Sequence, residues 1–197
     1  MNHKQLLDQN GAIHLHNVVP IEFCQFFTHA LLRQGDLQSH DDLQVSSAKA
    51  VLSHELICET LQERLWPAME AVVGEELLPT YSYARLYSNG DELKQHIDRP
   101  ACEISATIQL GRSHHYAWPI FMGGKRFDMG EGDAVIYKGC EIPHWRNVCQ
   151  GPDGYYSGQL FIHFVKKHGK HSDHFGDSSK RDKFTYVKNR TLMMEQK

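Results

Sequence analysis

The sequence has no apolar run near the roughly 18 residues that a membrane-crossing helix needs. Its start, MNHKQLLDQNGAIHLH, lacks the apolar core of a secretion signal. No membrane partner is expected, and the cytoplasm is the expected location. Positive charge is not in excess either: 21 Lys and Arg stand against 24 Asp and Glu, a formal net charge of −3 with histidines neutral. Without a basic face, binding to bulk nucleic acid through its phosphates is not expected, although a nucleic-acid substrate stays open. The five cysteines, Cys24, Cys58, Cys102, Cys140 and Cys149, are odd in number, widely spaced and without a Cys-x-x-Cys pair. They read as reduced, mostly buried thiols. No internal repeat and no linker divides the chain, so one domain is expected over residues 1–197. With 41% apolar and 10% aromatic residues it can build a core, and 23% charged residues is too few for a disordered chain.

Histidine is abundant, at 14 residues, and it is the side chain most used as a metal ligand or near-neutral proton carrier. Where these histidines fall depends on the hydrophobic pattern. After the apolar stretch Ala12 to Val19, Pro20 opens a helical pattern with Phe23, Phe26, Phe27, Ala30 and Leu31 at three- and four-residue spacing, ending near Gly35. Asp36 to Ser47 is polar and without period, and reads as a loop. A second helical pattern covers Ser53 to Val73, through Leu56, Ile57, Leu61, Leu65, Met69 and Val72, with Gly74 as its stop; Pro67 predicts a kink or a split. From Leu78 the period changes. Thr80 to Tyr87, Ser105 to Leu110, Pro119 to Met122, Ala134 to Tyr137 and Gln159 to Val165 are short, β-branched or aromatic segments. Corners are marked by Asn89-Gly90, Gly123-Gly124, Gly130 to Gly132 and Gly151 to Gly154. This organisation predicts a helical support over residues 1–77, a sandwich, barrel or jelly roll over 78–166, and a polar tail over 167–197. His168, His171 and His174 read as solvated residues of that tail, and His114 and His115 as an exposed loop pair.

One segment, Gln95-His96-Ile97-Asp98-Arg99-Pro100, carries an imidazole and a carboxylate two residues apart at the end of a predicted strand. Positions i and i+2 of an extended chain point the same way, so His96 and Asp98 can serve one ion. His144, in Cys140-Glu141-Ile142-Pro143-His144-Trp145-Arg146, follows the apolar strand Ala134 to Tyr137 and can supply a third ligand. Two histidines and one carboxylate form the facial set that holds non-haem Fe(II) with positions open for O₂.

In this order, these residues resemble the Fe(II)- and 2-oxoglutarate-dependent oxygenases, most nearly the prolyl-hydroxylase-like branch. The resemblance is carried by Ala84 to Leu93 before the motif, His96-x-Asp98, Gly130-Glu131-Gly132-Asp133 with the following strand, and the distal His144; it covers about residues 78–166. It implies a mainly β fold with N-terminal helices (α+β), a double-stranded β-helix of the jelly-roll, cupin-like kind. It also implies a dioxygenase that uses Fe(II), 2-oxoglutarate and O₂, hydroxylates its substrate and releases succinate and CO₂, with His96, Asp98 and His144 as metal ligands and catalytic centre. Related halogenases lack the carboxylate, so Asp98 favours hydroxylation.

The sequence departs from the family at the Lys or Arg that usually follows the distal histidine on the last core strand. Asp153, Gly154 and Tyr155 fill that window, and Ser157 takes the slot when the strand is aligned by its aromatic end. Arg146, two residues after His144 and on the same side of an extended strand, is the leading substitute for holding the co-substrate's distal carboxylate. A salt bridge from Arg146 to Glu141 or Glu103 is the competing reading. Tyr83, Arg85 and Tyr87 share one parity and can face inward to help, as can Gln159 and His163. Arg99 and Glu103 lie close enough to the motif to orient ligands. Trp118 and Trp145 read as core or as pocket lining. A cupin-like metalloenzyme without a 2-oxo acid and a non-enzymatic jelly-roll binding module remain alternatives. The substrate class, small molecule or peptide, and the oligomeric state stay open, and the loops at Asp36 to Ser47 and Arg112 to Trp118 are expected at the substrate entrance.

Overall fold

The computed structural model describes residues 2–34, 50–53 and 56–177; the loop read at Asp36 to Ser47 and the tail beyond residue 177 lie outside them. The order of elements is α1 (His3–Asn10), β1 (Ala12–Leu15), α2 (Ile21–Gln34), β2 (Ala50–Ser53), α3 (Leu56–Val73), β3 (Leu77–Ser88), β4 (Leu93–His96), a 3₁₀ turn at Pro100–Cys102, β5 (Ile104–Arg112), β6 (Ile120–Met122), β7 (Lys125–Phe127), β8 (Ala134–Tyr137), β9 (His144–Arg146) and β10 (Tyr156–Lys166). A larger sheet runs β1-β8-β5-β10-β3-β2 and a smaller one β4-β9-β6-β7. Paired strands are antiparallel throughout, from β1 on β8 to β6 on β9. The fold is a helix-buttressed jelly roll, as the sequence predicts.

The helices cover one face of the larger sheet because its strands alternate. Ile104, Ala106, Ile108 and Leu110 of β5 and Leu160, Ile162 and Phe164 of β10 enter one apolar core with Phe27, Leu31, Trp66, Met69 and Val72. The intervening residues, Ser105, Thr107 and Gln109 on β5 and Gln159, Phe161 and His163 on β10, are buried on the opposite face. Smaller apolar clusters close the two ends of that interior, one around Tyr87, Trp118 and Tyr155, the other around Ile120, Met122 and Tyr137.

Three local outcomes differ from the sequence reading. Residues 3–10 form a helix that the hydrophobic pattern does not announce: Asn2 and Gln5 make a reciprocal capping box, and only Leu7 is buried. The apolar stretch after it contributes β1, an edge strand. Pro67 neither ends nor splits α3. The packing of Trp66, Met69 and Val72 into the core, with the Trp66 indole donating to the Leu77 carbonyl at 3.0 Å, offsets the hydrogen bond that proline removes. All five cysteines are free, and all but Cys140 are buried, as expected. No helix is long and apolar enough to cross a membrane among the described residues.

The turn before β8 is a point of close approach. Gly132 has φ +84°, and its carbonyl accepts the Val18 and Val19 amides at 2.8 and 3.1 Å; a Cβ there would lie 2.2 Å from the Val19 carbonyl oxygen. Gly124 has a similar φ of +81° but open space around it. Gly124→Ala should therefore cost only the positive-φ strain, about 1 kcal/mol, whereas Gly132→Ala should cost roughly 3 kcal/mol or more. Urea unfolding midpoints measure the difference; equal losses would show that the close approach carries no energy.

Candidate metal centre

β4 and β9 are neighbours in the smaller sheet, and their register sets His96 opposite His144. The chain then leaves β4 and turns at Pro100–Cys102. This turn is tied down by Asp98 N–H to the Gly139 carbonyl (2.9 Å), Gly139 N–H to the Glu103 carbonyl (3.1 Å) and the Thr80 hydroxyl to the Ala101 carbonyl (2.7 Å). A Cβ on Gly139 would come within 2.4 Å of Asp98 Oδ2 and 2.3 Å of the Cys102 carbonyl, so only glycine lets the two loops close on the carboxylate.

The three predicted ligands meet there. His144 Nε2 lies 3.4 Å and His96 Nε2 3.7 Å from the same oxygen, Asp98 Oδ1. Cis ligand atoms of an octahedral ion with bonds of about 2.1 Å lie about 3.0 Å apart, so a small inward movement makes the set complete. Each ring is turned by its other nitrogen: His96 Nδ1 sits 2.7 Å from the Lys94 carbonyl and His144 Nδ1 3.1 Å from the Ile142 carbonyl. A carbonyl accepts only, so each Nδ1 carries a proton, and an ion entering the shared space would displace any proton from Nε2 and take its lone pair. Tyr137 packs on the His144 ring at 4.8 Å between centroids. Burial pushes the Asp98 carboxyl up, but the His144 hydrogen bond and the nearby imidazoles outweigh it and hold the group below the usual carboxylate range. The result is a compact, anionic, N₂O site with hard and borderline donors, suited to a divalent first-row ion.

Behind it lies a partner that sequence reasoning missed. Ser105 Oγ is 3.3 Å from Asp98 Oδ2 and 2.8 Å from His163 Nδ1. Burial presses His163 down to about 4, so it is neutral at physiological pH. With His163 Nδ1–H donating to Ser105, the serine proton is shared between Asp98 Oδ2 and the Cys102 carbonyl, 3.1 Å away, and Oδ1 faces the histidines. Ser105 sits seven residues from Asp98 inside an apolar-looking strand, and nothing local marks it.

The remaining predicted residues lie on the interior faces of β3, β9 and β10. Tyr81, Tyr83, Arg85 and Tyr87 do share one side of β3: the Tyr81 and Tyr83 rings are parallel, and the Arg85 guanidinium lies 5.6 Å from the rings of both Tyr83 and Tyr87. Gln159 pairs across from Arg85, but its amide is bonded to Gln109, Ser157 and Thr107. Ser157, in the slot where the family carries a cation, is part of this neutral network. Arg146 is 1% exposed, stacks on Trp118 and donates Nη1 to the Trp118 carbonyl, while Nε and Nη2 have no partner. Among the described residues it has no carboxylate within ion-pair distance. Glu141 instead lies 4.0 Å from Lys138, and Glu103 accepts the Lys166 amide. Burial lowers the Arg146 pKa from its ordinary value without making the guanidinium neutral.

Other candidates lie apart. Arg99 pairs with Asp177 and stacks on Tyr81, Trp145 lies flat on Phe121, and His114 and His115 are exposed. His168 pairs with Glu76, and His171 and His174 form no metal-competent group among the described residues.

Ser105→Ala removes the donor that selects the outward oxygen of Asp98. It should weaken Co(II) or Fe(II) binding by about tenfold, with the thermal midpoint little changed. Unchanged metal affinity by calorimetry would make Ser105 a packing residue only.

No family model matches the sequence, and no curated protein matches it. Solved structures match the fold across nearly the whole chain. A 2OG-Fe(II) oxygenase-family oxidoreductase from Burkholderia pseudomallei aligns with a TM-score of 0.65 at 14% identity, covering 91% of this chain and 93% of its own. A prolyl-4-hydroxylase from Pseudomonas putida aligns with a TM-score of 0.64 at 15% identity, covering 82% and 96%. HygX from Streptomyces hygroscopicus, solved with nickel, 2-oxoglutarate and hygromycin B bound, aligns with a TM-score of 0.65 at 11% identity, covering 83% and 86%. The chain has the jelly-roll fold of the 2OG-Fe(II) oxygenases.

Proposed function

We propose that this protein is a non-haem Fe(II)- and 2-oxoglutarate-dependent dioxygenase that hydroxylates a small-molecule or peptide substrate. The observation that carries the reading is Arg146. A cation buried without an anion costs several kcal/mol, and this one has two unpartnered donors on the strand that carries His144. A dicarboxylate that reaches the metal centre from one end and Arg146 from the other removes that cost.

In this reading His96 and His144 hold Fe(II) through Nε2 and Asp98 holds it through Oδ1, leaving positions for reactants. Bound Fe(II) would activate O₂, the oxidant, which takes two electrons from 2-oxoglutarate as it becomes succinate and CO₂ and two from the substrate, with one oxygen atom ending in succinate and the other in the new hydroxyl. Arg146 receives the distal carboxylate through Nε and Nη2, a two-point geometry that an arginine fork matches. Tyr87, fully buried and 5.0 Å from Trp118 between ring centroids, and Arg85 beside it add donors to the same region. Tyr83 and Gln159 complete the wall, Tyr83 by stacking on Phe161 at 4.7 Å. The apolar walls of Trp118, Tyr155 and Phe161 exclude water from this region. The neutral Gln109–Ser157–Gln159 network, where relatives carry a cation, is the one observation on the side of a metalloenzyme that uses no 2-oxo acid.

Anaerobic titration of the Fe(II)-loaded protein with 2-oxoglutarate decides between these readings. Bidentate chelation gives a weak visible charge-transfer band, which is expected here. Arg146→Gln should weaken the 2-oxoglutarate dependence of that band by about a hundredfold, the equivalent of roughly 3 kcal/mol for a buried charged pair, while Fe(II) affinity stays within a fewfold. Bound iron without the band points to the metalloenzyme without a 2-oxo acid; no iron binding points to a binding module. A band insensitive to Arg146 moves the anchor to Arg85.

A further inference from the structure

We propose that His14, His16 and Asp133 form a second metal site, for a divalent transition ion such as Zn(II), at the edge of the larger sheet. His14 Nε2 lies 3.0 Å and His16 Nδ1 3.1 Å from one carboxylate oxygen, Asp133 Oδ2. The two rings converge, with centroids 4.3 Å apart. Ligand atoms of a tetrahedral zinc ion with bonds of about 2.0–2.1 Å lie about 3.3 Å from one another, so the set needs little rearrangement to receive the ion. His16 is 70% exposed at its side chain, which gives an ion direct access and leaves water to complete the coordination.

The backbone around the cluster is fixed in advance. Asp133 Oδ1 accepts the Asn17 amide at 3.1 Å and Oδ2 accepts the Gly130 amide at 2.9 Å. Gly132 binds the Val18 and Val19 amides through its carbonyl, and the His14 ring is held edge-on against Phe127. Burial pushes the Asp133 carboxyl up, but the two amides and the two histidines outweigh it and keep it below the usual range, so the ligand is ionised near neutrality. Oδ2 gathers three contacts, from His14, His16 and the Gly130 amide, and an ion between it and the two imidazole nitrogens keeps all of these groups engaged. Such an ion would fasten β1 to the turn that begins β8.

Zn(II) alone is the probe, applied to the full chain by calorimetry and dialysis with metal analysis. Wild type should bind two equivalents, and the double variant Asp98→Ala/His144→Ala should retain one. Adding His16→Gln, at an exposed position that the fold tolerates, should weaken that remaining binding by about tenfold or more and abolish the Zn(II)-induced rise in thermal midpoint. In a wild-type background, His14→Gln/His16→Gln should reduce two equivalents to one, which reads the site even if the variant lacking Asp98 and His144 folds poorly. Zn(II) binding that is indifferent to His16→Gln and to His14→Gln/His16→Gln, whether wild type takes one equivalent or two, overturns the proposal and leaves a hydrogen-bonded clasp. The loss on substituting His14 and His16 reads this site alone, whereas failure of the His96–Asp98–His144 centre to bind would show as binding unchanged by Asp98→Ala/His144→Ala.

Discussion

The central strands β5 and β10 of the larger sheet are buried on both faces, and their two faces carry opposite chemistry. Everything else in the molecule depends on this alternation. On β5, Ile104, Ala106, Ile108 and Leu110 meet the helices while Ser105, Thr107 and Gln109 meet the interior. A one-residue slip would drive the polar set into the helix-facing core and empty the metal centre of its supporting donors. β3 meets the constraint with a bulge: Ser82 pairs with Ile162 but Pro79 with Phe164, so β3 holds one extra residue between them. That residue lets Leu77 face the helices and Tyr81 face the interior on one strand. The bulge leaves the carbonyls of Tyr81 and His163 short of sheet partners, and the buried Gln62 amide of α3 donates to both, at 3.1 and 2.7 Å. The helices therefore do more than cover the sheet; they stabilise the irregularity that aims the site.

Charge in the interior follows from the same geometry. Asp98 is the acid at the centre, and its charge is answered by imidazoles and the Ser105 hydroxyl. Arg146 lies on the strand of His144 with no acid in range among the described residues, held by Trp118 through stacking and one hydrogen bond. A protein that needed only stability would fill this position with an apolar side chain at no loss. Keeping a guanidinium there makes physical sense when an anion arrives to meet it, which is why Arg146 weighs more in the functional reading than the similarity of fold, since one fold hosts many chemistries.

Much of this was legible because it is local. His96 and Asp98 are two residues apart on extended chain, and His144 and Arg146 repeat that spacing on β9, so strand parity alone aligns each pair. The parity of Tyr83, Arg85 and Tyr87 could be read in the same way, although which parity faced inward could not. The capping box Asn2-x-x-Gln5 was equally local and announces α1 to a reader who looks for caps before hydrophobic runs. Pro67 does not split α3 because helix propensity is weak against packing, and Trp66 and Met69 near it are buried in the core. Ser105, Gly139 and the His14–His16–Asp133 cluster were not legible at all. Their partners lie between seven and 119 residues away, and only the strand order brings them together.

Strand β8 connects the His14–His16–Asp133 and His96–Asp98–His144 clusters, and its design makes them independent. The Gly130–Asp133 turn anchors its start to β1 and β5. At its other end Tyr137 packs on His144, and Gly139 binds the Asp98 amide. Between these anchors Ala134 and Ile136 are locked into the helix-facing core, and Val135 and Tyr137 into the interior. Coupling between sites requires an element with two arrangements that both sites bias. A four-residue strand paired on both sides and packed on both faces has only one, so an ion at Asp133 can stabilise the fold without altering the geometry that Asp98 and His144 present.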